Sequence, residues 1–530
     1  MKVTQIPFQK TGFFSKTMLD YLAQKETIKP FYNNFPSING FKKEIEEIRK
    51  SFSLATRNVL VSALNNQYTS VAVSEETQQN IENLKLPNTF TVTTGHQLNL
   101  FTGPLYFLYK IISTINLAEE LKEQFPKDNF VPIYWMATED HDFDEINYFN
   151  FKEHKVEWKR SDGGAVGKFS TDGLKEVFEH FSSELGTTRN ADFLRDLFKK
   201  GYLENDTLTA ATRYIANQLF ARYGLVIIDG DDNQLKQLFA PYISQELKEQ
   251  VSFKVVTDTI KELEKNYKVQ VNPREINLFY LSDNSRERIV LDNGEYKVNN
   301  TEIVFSKEEI LKEVKENPSH FSPNVIMRPL FQEVVLPNLA YIGGGGELAY
   351  WLQLKSYFDT VSVPFPILVL RNSVQVISSK QQKKIDNLTI SVDELFLKLN
   401  DLLAIKVKEN AAIELDFSKQ KEELISQFSK LKEVAKQTDV SFIGAVNAQE
   451  KKQLNGLEKL EKRLLIAEKR RQVDLVTRIT DVKNQLFPNH SLEERQRNFS
   501  EYYLEYGDDF IAALKVALKP LDLEFTILEL

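Results

Sequence analysis

The chain has 530 residues, 42% apolar and 27% charged, with a net charge of −8 and no cysteine. That length exceeds what one core usually serves, and the acidic balance argues against a general nucleic-acid binder. The missing cysteine excludes disulfides, thiolate metal sites and a cysteine nucleophile; no apolar run approaches a membrane span and Met1–Gln5 has no signal core, so a cytoplasmic chain with no membrane partner is expected.

Residues 1–88 read as mostly helical, with Phe41, Ile45, Ile48 and Phe52 at helical spacing. A β-prone run at Thr89–Thr93 leads into the polar loop Thr93-Thr94-Gly95-His96-Gln97. A helix is expected from about Pro104, since proline suits a first helical turn. A second apolar run, Val131–Trp135, ends in Ala137-Thr138-Glu139-Asp140-His141-Asp142-Phe143-Asp144-Glu145. Strand, helix and strand in this order predict a parallel, doubly wound α/β sheet. Polar loops at the carboxyl ends of such strands line one crevice.

The segment organisation expected is a doubly wound core in three parts (1–151, 221–250 and 326–373) with insertions at 152–220 and 251–325. In the first insertion, Ser161-Asp162-Gly163-Gly164 reads as a loop before two polar helices. The core resumes at the buried strand Leu225–Ile228, which ends in acids. The second insertion reads as short strands, Asn277–Leu281, Arg288–Leu291 and Tyr296–Val298, with a turn at Asp292-Asn293-Gly294. Core strands are then expected at Val334–Leu336, Leu339–Ile342 and Pro366–Leu370, and a helix from Glu347. From 374 to 487 the pattern predicts a coiled-coil hairpin, with Leu424, Phe428, Leu431 and Val434 on one seam and Leu457, Leu460 and Leu464 on another. Residues 488–530 form a docking tail, its last ten residues a strand or an extended end.

Three loops carry chemistry. Gly95 and His96 precede a helix, where free N–H groups favour a phosphate and an imidazole can donate to a developing charge. The simpler reading is a satisfied core histidine, and the functional one is preferred. Glu139, Asp140, Asp142, Asp144 and Glu145 around His141 suit Mg²⁺, a substrate ammonium, or proton acceptance from an amine. Alternatively they form a solvated turn capping a helix. Gly343, Gly344, Gly345 and Gly346 before Glu347 read equally as an anion-binding nest or a flexible turn. Tyr350 and Trp351 either stack on a ring or fill the core. Arg328 and Arg371 are anion clamps or structural ion-pair partners.

Together these strings resemble one family. Thr94–Tyr106, including Gly103, is similar to its first motif, though His96 stands where that motif often has Gln. Glu139–Asn147 resembles its acidic EDHDFDEI block. Arg328-Pro329-Leu330-Phe331-Gln332-Glu333 and Gly343–Gly346 with Glu347, Tyr350 and Trp351 follow in the same order. The family is the bacillithiol-synthesis cysteine-adding enzymes, or cysteine ligases. The resemblance implies a Rossmann-like core akin to nucleotidyltransferases, two connecting-peptide insertions and a dimerising C-terminal coiled coil. It implies ligation of L-cysteine to the amino group of glucosaminyl-malate. Joining a carboxylate to an amine in water needs an activated acyl group, so ATP with Mg²⁺ is expected to activate the carboxylate as an adenylate or a phosphate. His96, Asp140, His141, Asp142 and Asp144 are the expected catalytic residues, the last two also as Mg²⁺ ligands. Thr94, Gly95, Gln97, Gly103, Glu139, Glu145, Arg328, Gln332, the glycine run, Glu347, Tyr350, Trp351 and Arg371 are the expected binding residues. The alternatives are another adenylate-forming or nucleotidyltransferase-like ligase, and a coiled-coil scaffold with a vestigial nucleotide pocket.

Overall fold

The computed structural model describes residues 1–160, 163–282 and 284–530, so the loop reading at Ser161-Asp162 lies outside the described residues. The chain folds as two compact units. The larger contains Met1–Gln9, Phe13–Gln375 and Leu492–Leu528; the smaller contains Lys10–Gly12, Val376–Ser491 and Glu529–Leu530.

The centre of the larger unit is a five-stranded parallel sheet. Its strands are β1 (Thr89–His96), β2 (Asn129–Met136), β3 (Val226–Asp229), β4 (Asn338–Gly343) and β5 (Ile367–Leu370). Their spatial order is 5-4-1-2-3, every neighbouring pair parallel. The order therefore reverses between β1 and β4, which is the point where ligands bind in doubly wound sheets. Helix α1 (Tyr106–Gln124) connects β1 to β2. Its Leu117 and Leu121 meet Phe90, Val92, Leu339 and Ile367 in one buried cluster. The strands are buried on both faces because both are covered, as in parallel sheets generally; the polar exceptions in β1 are paired, Thr91 and Thr93 each donating to Asn338 Oδ1 of β4.

Two details of the β1–α1 connection depart from expectation. β1 continues to His96, so Gly95 and His96 are strand residues paired with Trp135 and Met136 of β2. The helix starts at Tyr106, after a turn in which Phe101, Thr102 and Gly103 all have positive φ. A Cβ on Gly103 would meet Cβ of Asn99 at 2.7 Å, so the turn is closed to other residues.

A further correction concerns Val334–Leu336. Val334 and Val335 belong to helix α2 (Arg328–Val335), not to a strand. The short apolar run is one buried helix end, and periodicity alone does not separate that from a strand. Helix α3 (Gly345–Trp351) follows β4 directly.

The first insertion holds helices Leu174–Glu184, Arg189–Phe198 and Leu208–Phe220. The second forms an antiparallel sheet from Leu278–Ser282, Ser285–Asp292, Glu295–Val298, Val304–Phe305 and Phe321–Pro323. Asn293 and Gly294, both at positive φ, make its tight turn.

In the smaller unit, helices Ser418–Ala435 and Val440–Arg471 pair side by side. Lys421 bonds Glu461 at 2.6 Å and Lys432 bonds Glu450, so later residues of one helix meet earlier residues of the other and the pair is antiparallel. Phe428, Ala435 and Val446 form its buried seam, with Leu424 and Ile443 against it. Leu431, Val434 and Leu460, expected on seams, are 49%, 56% and 52% exposed. A single partner helix covers only a narrow stripe, and Ala435 rather than Val434 continues it.

Candidate functional site

A cavity of about 630 Å³ opens at the carboxyl edge of the sheet, beside the β1–β4 reversal. Such a volume is in the range of small-molecule sites. Its wall combines the end of β1, the acidic loop after β2, the start of α2, the end of β4 with α3, and the second insertion.

At the β1 end, Gly95 permits a close approach. A Cβ there would lie 3.2 Å from Tyr341 Oη and 3.6 Å from Arg328 Nη1. The Gly95 carbonyl accepts from Lys110 of α1. Lys110 is buried, and its Nζ donates to both oxygens of Glu347, at 2.9 and 2.7 Å. Glu347 also accepts from Tyr341 Oη at 2.8 Å and Gly344 N at 3.1 Å. Burial pushes the Glu347 carboxyl up, but Lys110 and these donors outweigh it and hold it below its ordinary value. This pair, a buried lysine and a half-buried glutamate, ties β1, α1 and α3 together at the reversal.

His96 is buried, edge-on to Tyr106 with ring centroids 5.5 Å apart. Burial, then the charges of Lys110 and Arg371, hold the imidazole neutral, its pKa well below the ordinary 6.5. Next to it, Gln97 Nε2 donates to Asp140 at 2.8 Å and Glu145 at 2.9 Å, which locks the first motif to the acidic loop.

The acidic loop divides in two. Glu139, Asp140 and His141 line the cavity. Asp142, Asp144 and Glu145 are exposed and outside its wall. Glu139 lies 2.6 Å from buried Lys236, which also contacts Asp231 at 2.7 Å. Glu347 is likewise neutralised by Lys110. Asp140 is thus the one wall carboxylate with no Lys or Arg ion pair among the described residues. Among those residues, no group of three or more His, Asp or Glu side chains is arranged to hold a metal ion.

Against three carboxylates the wall sets five cations: Lys110, Arg274, Arg286, Arg288 and Arg328. Each of the three Arg286 nitrogens donates to a protein acceptor. Arg328 donates from Nη1 to Gln332 at 3.0 Å, while its buried Nη2 has no partner at hydrogen-bonding geometry, only the Tyr350 phenol nearby. Gln332 in turn donates to Glu333 at 2.7 Å, whose carboxyl burial pushes up to about 8. Gln332 is therefore behind the wall, holding Arg328.

The remaining expected residues lie elsewhere. Thr94 Oγ1 donates to the Ile342 carbonyl at 2.7 Å inside the sheet, and Gly103 shapes the β1–α1 turn. Trp351 is buried and stacked on Tyr341 at 4.5 Å. Gly343 ends β4. Gly344, Gly345 and Gly346 face a second, smaller cavity of about 180 Å³. Arg371 also lines that cavity, paired with Glu494 at 2.7 Å.

Several wall residues carried readable signals that the sequence reading passed over. Lys110 interrupts the apolar face of α1, where a lone lysine needs a buried partner. Arg286 and Arg288 alternate on one strand and so share a face. Arg274 sits in an irregular segment and gave no signal.

Comparison with known proteins agrees with this layout. Residues 1–372 match the family described as "Bacillithiol biosynthesis BshC, N-terminal Rossmann-like domain", and residues 374–530 match its "C-terminal coiled-coil domain". The chain is 55% identical over 523 residues to "Putative cysteine ligase BshC" of Flavobacterium johnsoniae, covering 99% of each chain. It is 54% identical to the protein of that name from Christiangramia forsetii, covering 100% of this chain and 99% of the relative. To the one from Salinibacter ruber it is 30% identical, covering 96% and 95%. The chain belongs to the BshC family, the cysteine ligases of bacillithiol biosynthesis.

Proposed function

We propose that this cavity joins the carboxyl group of L-cysteine to the amino group of glucosaminyl-malate. The observation that carries the reading is the division of charge in the wall. Three arginines, Arg274, Arg288 and Arg328, have no carboxylate partner among the described residues, while one carboxylate, Asp140, has no lysine or arginine partner. Unpaired guanidinium groups suit phosphate and carboxylate oxygens. They fit the triphosphate of ATP and the malate carboxylates. Asp140 fits an amine: it pairs with the ammonium form and takes the proton that the nitrogen must lose before its lone pair attacks.

Amide formation in water needs an activated carboxyl, which ATP supplies when bound. The chain's residues do the rest. Gly95 leaves the β1 edge open to a close approach. His96, neutral and buried, serves as a hydrogen-bond donor or acceptor and not as a cation. Gln97 keeps Asp140 in place. Mg²⁺ would come with the ATP phosphates and needs only one or two carboxylates beside them; among the described residues no three His, Asp or Glu side chains converge, so no step is assigned to a protein-held metal.

The smaller unit exposes Leu431, Val434, Phe442, Leu460 and Ile466. An exposed apolar set of this kind favours association, and a homodimer through the helical pair is part of the proposal.

The test is incubation of the protein with glucosaminyl-malate, L-cysteine and Mg-ATP, followed by mass analysis of product and nucleotide. A thiol-containing amide with AMP indicates adenylate activation, and with ADP phosphate activation. Nucleotide consumption with another acyl donor would point to a different ligase. No cysteine-dependent product would remove the reading.

A further inference from the structure

The second insertion sends one arginine across to the acidic loop. Arg286, on strand Ser285–Asp292, donates from Nη1 to His141 Nδ1 at 2.8 Å. Its other two nitrogens are hydrogen-bonded as well: Nε to Ser322 Oγ and Nη2 to the Pro323 carbonyl, each at 3.1 Å. Its guanidinium lies 4.0 Å from the centre of the Phe279 ring. An arginine held at four points is a fixed part of the wall, not a mobile anion clamp.

Guanidinium is a donor only and stays protonated. The imidazole nitrogen facing it must therefore be the acceptor. We propose that Arg286 fixes His141 in the tautomer protonated at Nε2, making His141 a neutral hydrogen-bond donor in the cavity wall and Arg286 its positioning residue. In this state Nδ1 is occupied and Nε2 carries the proton, so His141 is not available as a base. Its donor suits an anionic oxygen, which is the polarity expected where a carboxyl group or a phosphate is held.

The competing arrangement is visible in the same place. Asp140 Oδ1 lies 3.7 Å from His141 Nδ1. An Nδ1–H ring would donate to that carboxylate and leave Nε2 as a base, a common aspartate–histidine arrangement. Arg286 prevents it by taking the Nδ1 position. The other charged groups facing the ring are Asp142 on its own loop and Glu287 on the arginine's strand. Neither is hydrogen-bonded to it among the described residues.

What the donor does for ligation rests on the function proposed above; the tautomer itself does not. The test is therefore spectroscopic. The full chain is labelled with ¹⁵N-histidine, and the six histidines are resolved by long-range ¹H–¹⁵N correlation at fixed pH. His141 is assigned by its absence in His141→Gln. Wild type is expected to show His141 protonated at Nε2 alone. Arg286→Leu is expected to shift the ring toward Nδ1–H, donating to Asp140. A protonated Nδ1 in wild type overturns the proposal, as does an unchanged tautomer in Arg286→Leu. Should that variant fail to fold, the wild-type spectrum still decides. In the cysteine-addition assay Arg286→Leu is expected to lower kcat about tenfold or more; a changed tautomer without loss of turnover would count against the ligation role and not against the tautomer.

Discussion

Replacing Lys110 by Met removes the cation from the Lys110–Glu347 pair at the strand reversal and keeps the side chain's length. Glu347 then retains only Tyr341 Oη and Gly344 N as donors. Removing one partner of a buried ion pair costs about 3–5 kcal/mol. The Lys110 side chain is 2% exposed and that of Glu347 28%, so the cavity offers some solvation and a loss of about 3 kcal/mol is expected. The pH dependence follows from the sign of the shift. In wild type the Glu347 carboxyl is held below its ordinary 4.5, so its stabilisation is present above 4.5 and is lost as pH falls through the folded value. Without Lys110, burial dominates and the folded value rises above 4.5. The penalty is then full at pH 7 and shrinks as the carboxyl protonates on the way down to 4.5. The chain's three tryptophans, Trp135, Trp158 and Trp351, all lie in the larger unit, so their fluorescence in urea reports this unit alone. In Lys110→Met/Glu347→Gln no orphan charge remains, and the double variant should be more stable than Lys110→Met. Single effects that add within about 0.5 kcal/mol would refute the coupling on which this reasoning depends.

Other expectations address separate groups. Glu333, with its carboxyl raised to about 8, keeps a proton in the folded chain that the unfolded chain loses above 4.5, so stability falls as pH rises between those values; Glu333→Gln should flatten that slope and add on the order of 2 kcal/mol at pH 7 in the same urea assay. His96, buried and neutral, opposes folding as pH drops below 6.5, where the unfolded imidazole protonates; His96→Gln should reduce this acid sensitivity and lower cysteine addition only mildly, because Gln still donates a hydrogen bond. Asp140→Asn should reduce cysteine addition about ten- to a hundredfold, the worth of a charge-assisted contact, and more than Asp144→Asn does, with circular dichroism as a fold control. Changing Leu431 and Val434 together to Glu should give a monomer by sedimentation; a persistent dimer would place the interface elsewhere.

Much of the core was legible because its signals are local. The apolar runs before Gly95 and Ala137 read as strands whatever surrounds them, and the turn at Asn293-Gly294 is written in two residues. The ambiguous case was Val334-Val335, where three apolar residues fit a buried helix end as well as a strand. The site was legible only in part. Gly95, Asp140 and Arg328 sit in recognisable loops, and the cavity brings them together. Long-range pairing is what the sequence conceals. Nothing near Glu139 or Glu347 announces that Lys236 or Lys110 neutralises it, and nothing near His141 announces Arg286, 145 residues away. The sequence reading therefore grouped Asp140 with Asp142 and Asp144 as catalytic and Glu139 with Glu145 as binding residues, whereas tertiary contacts leave Asp140 the wall carboxylate without a Lys or Arg ion pair among the described residues and put Asp142, Asp144 and Glu145 outside the wall.

The central claim is that one cavity at the strand reversal binds the anionic substrates and forms the amide. Its most direct test is kcat/KM for glucosaminyl-malate in Arg328→Met against wild type, read as the rate of cysteine-containing product. Arg328 contributes a buried, unpartnered donor to the wall, and losing a charged hydrogen bond of about 1.5–3 kcal/mol predicts a fall of roughly ten- to a hundredfold. An unchanged kcat/KM in the folded variant would contradict the account and move the chemistry away from this cavity.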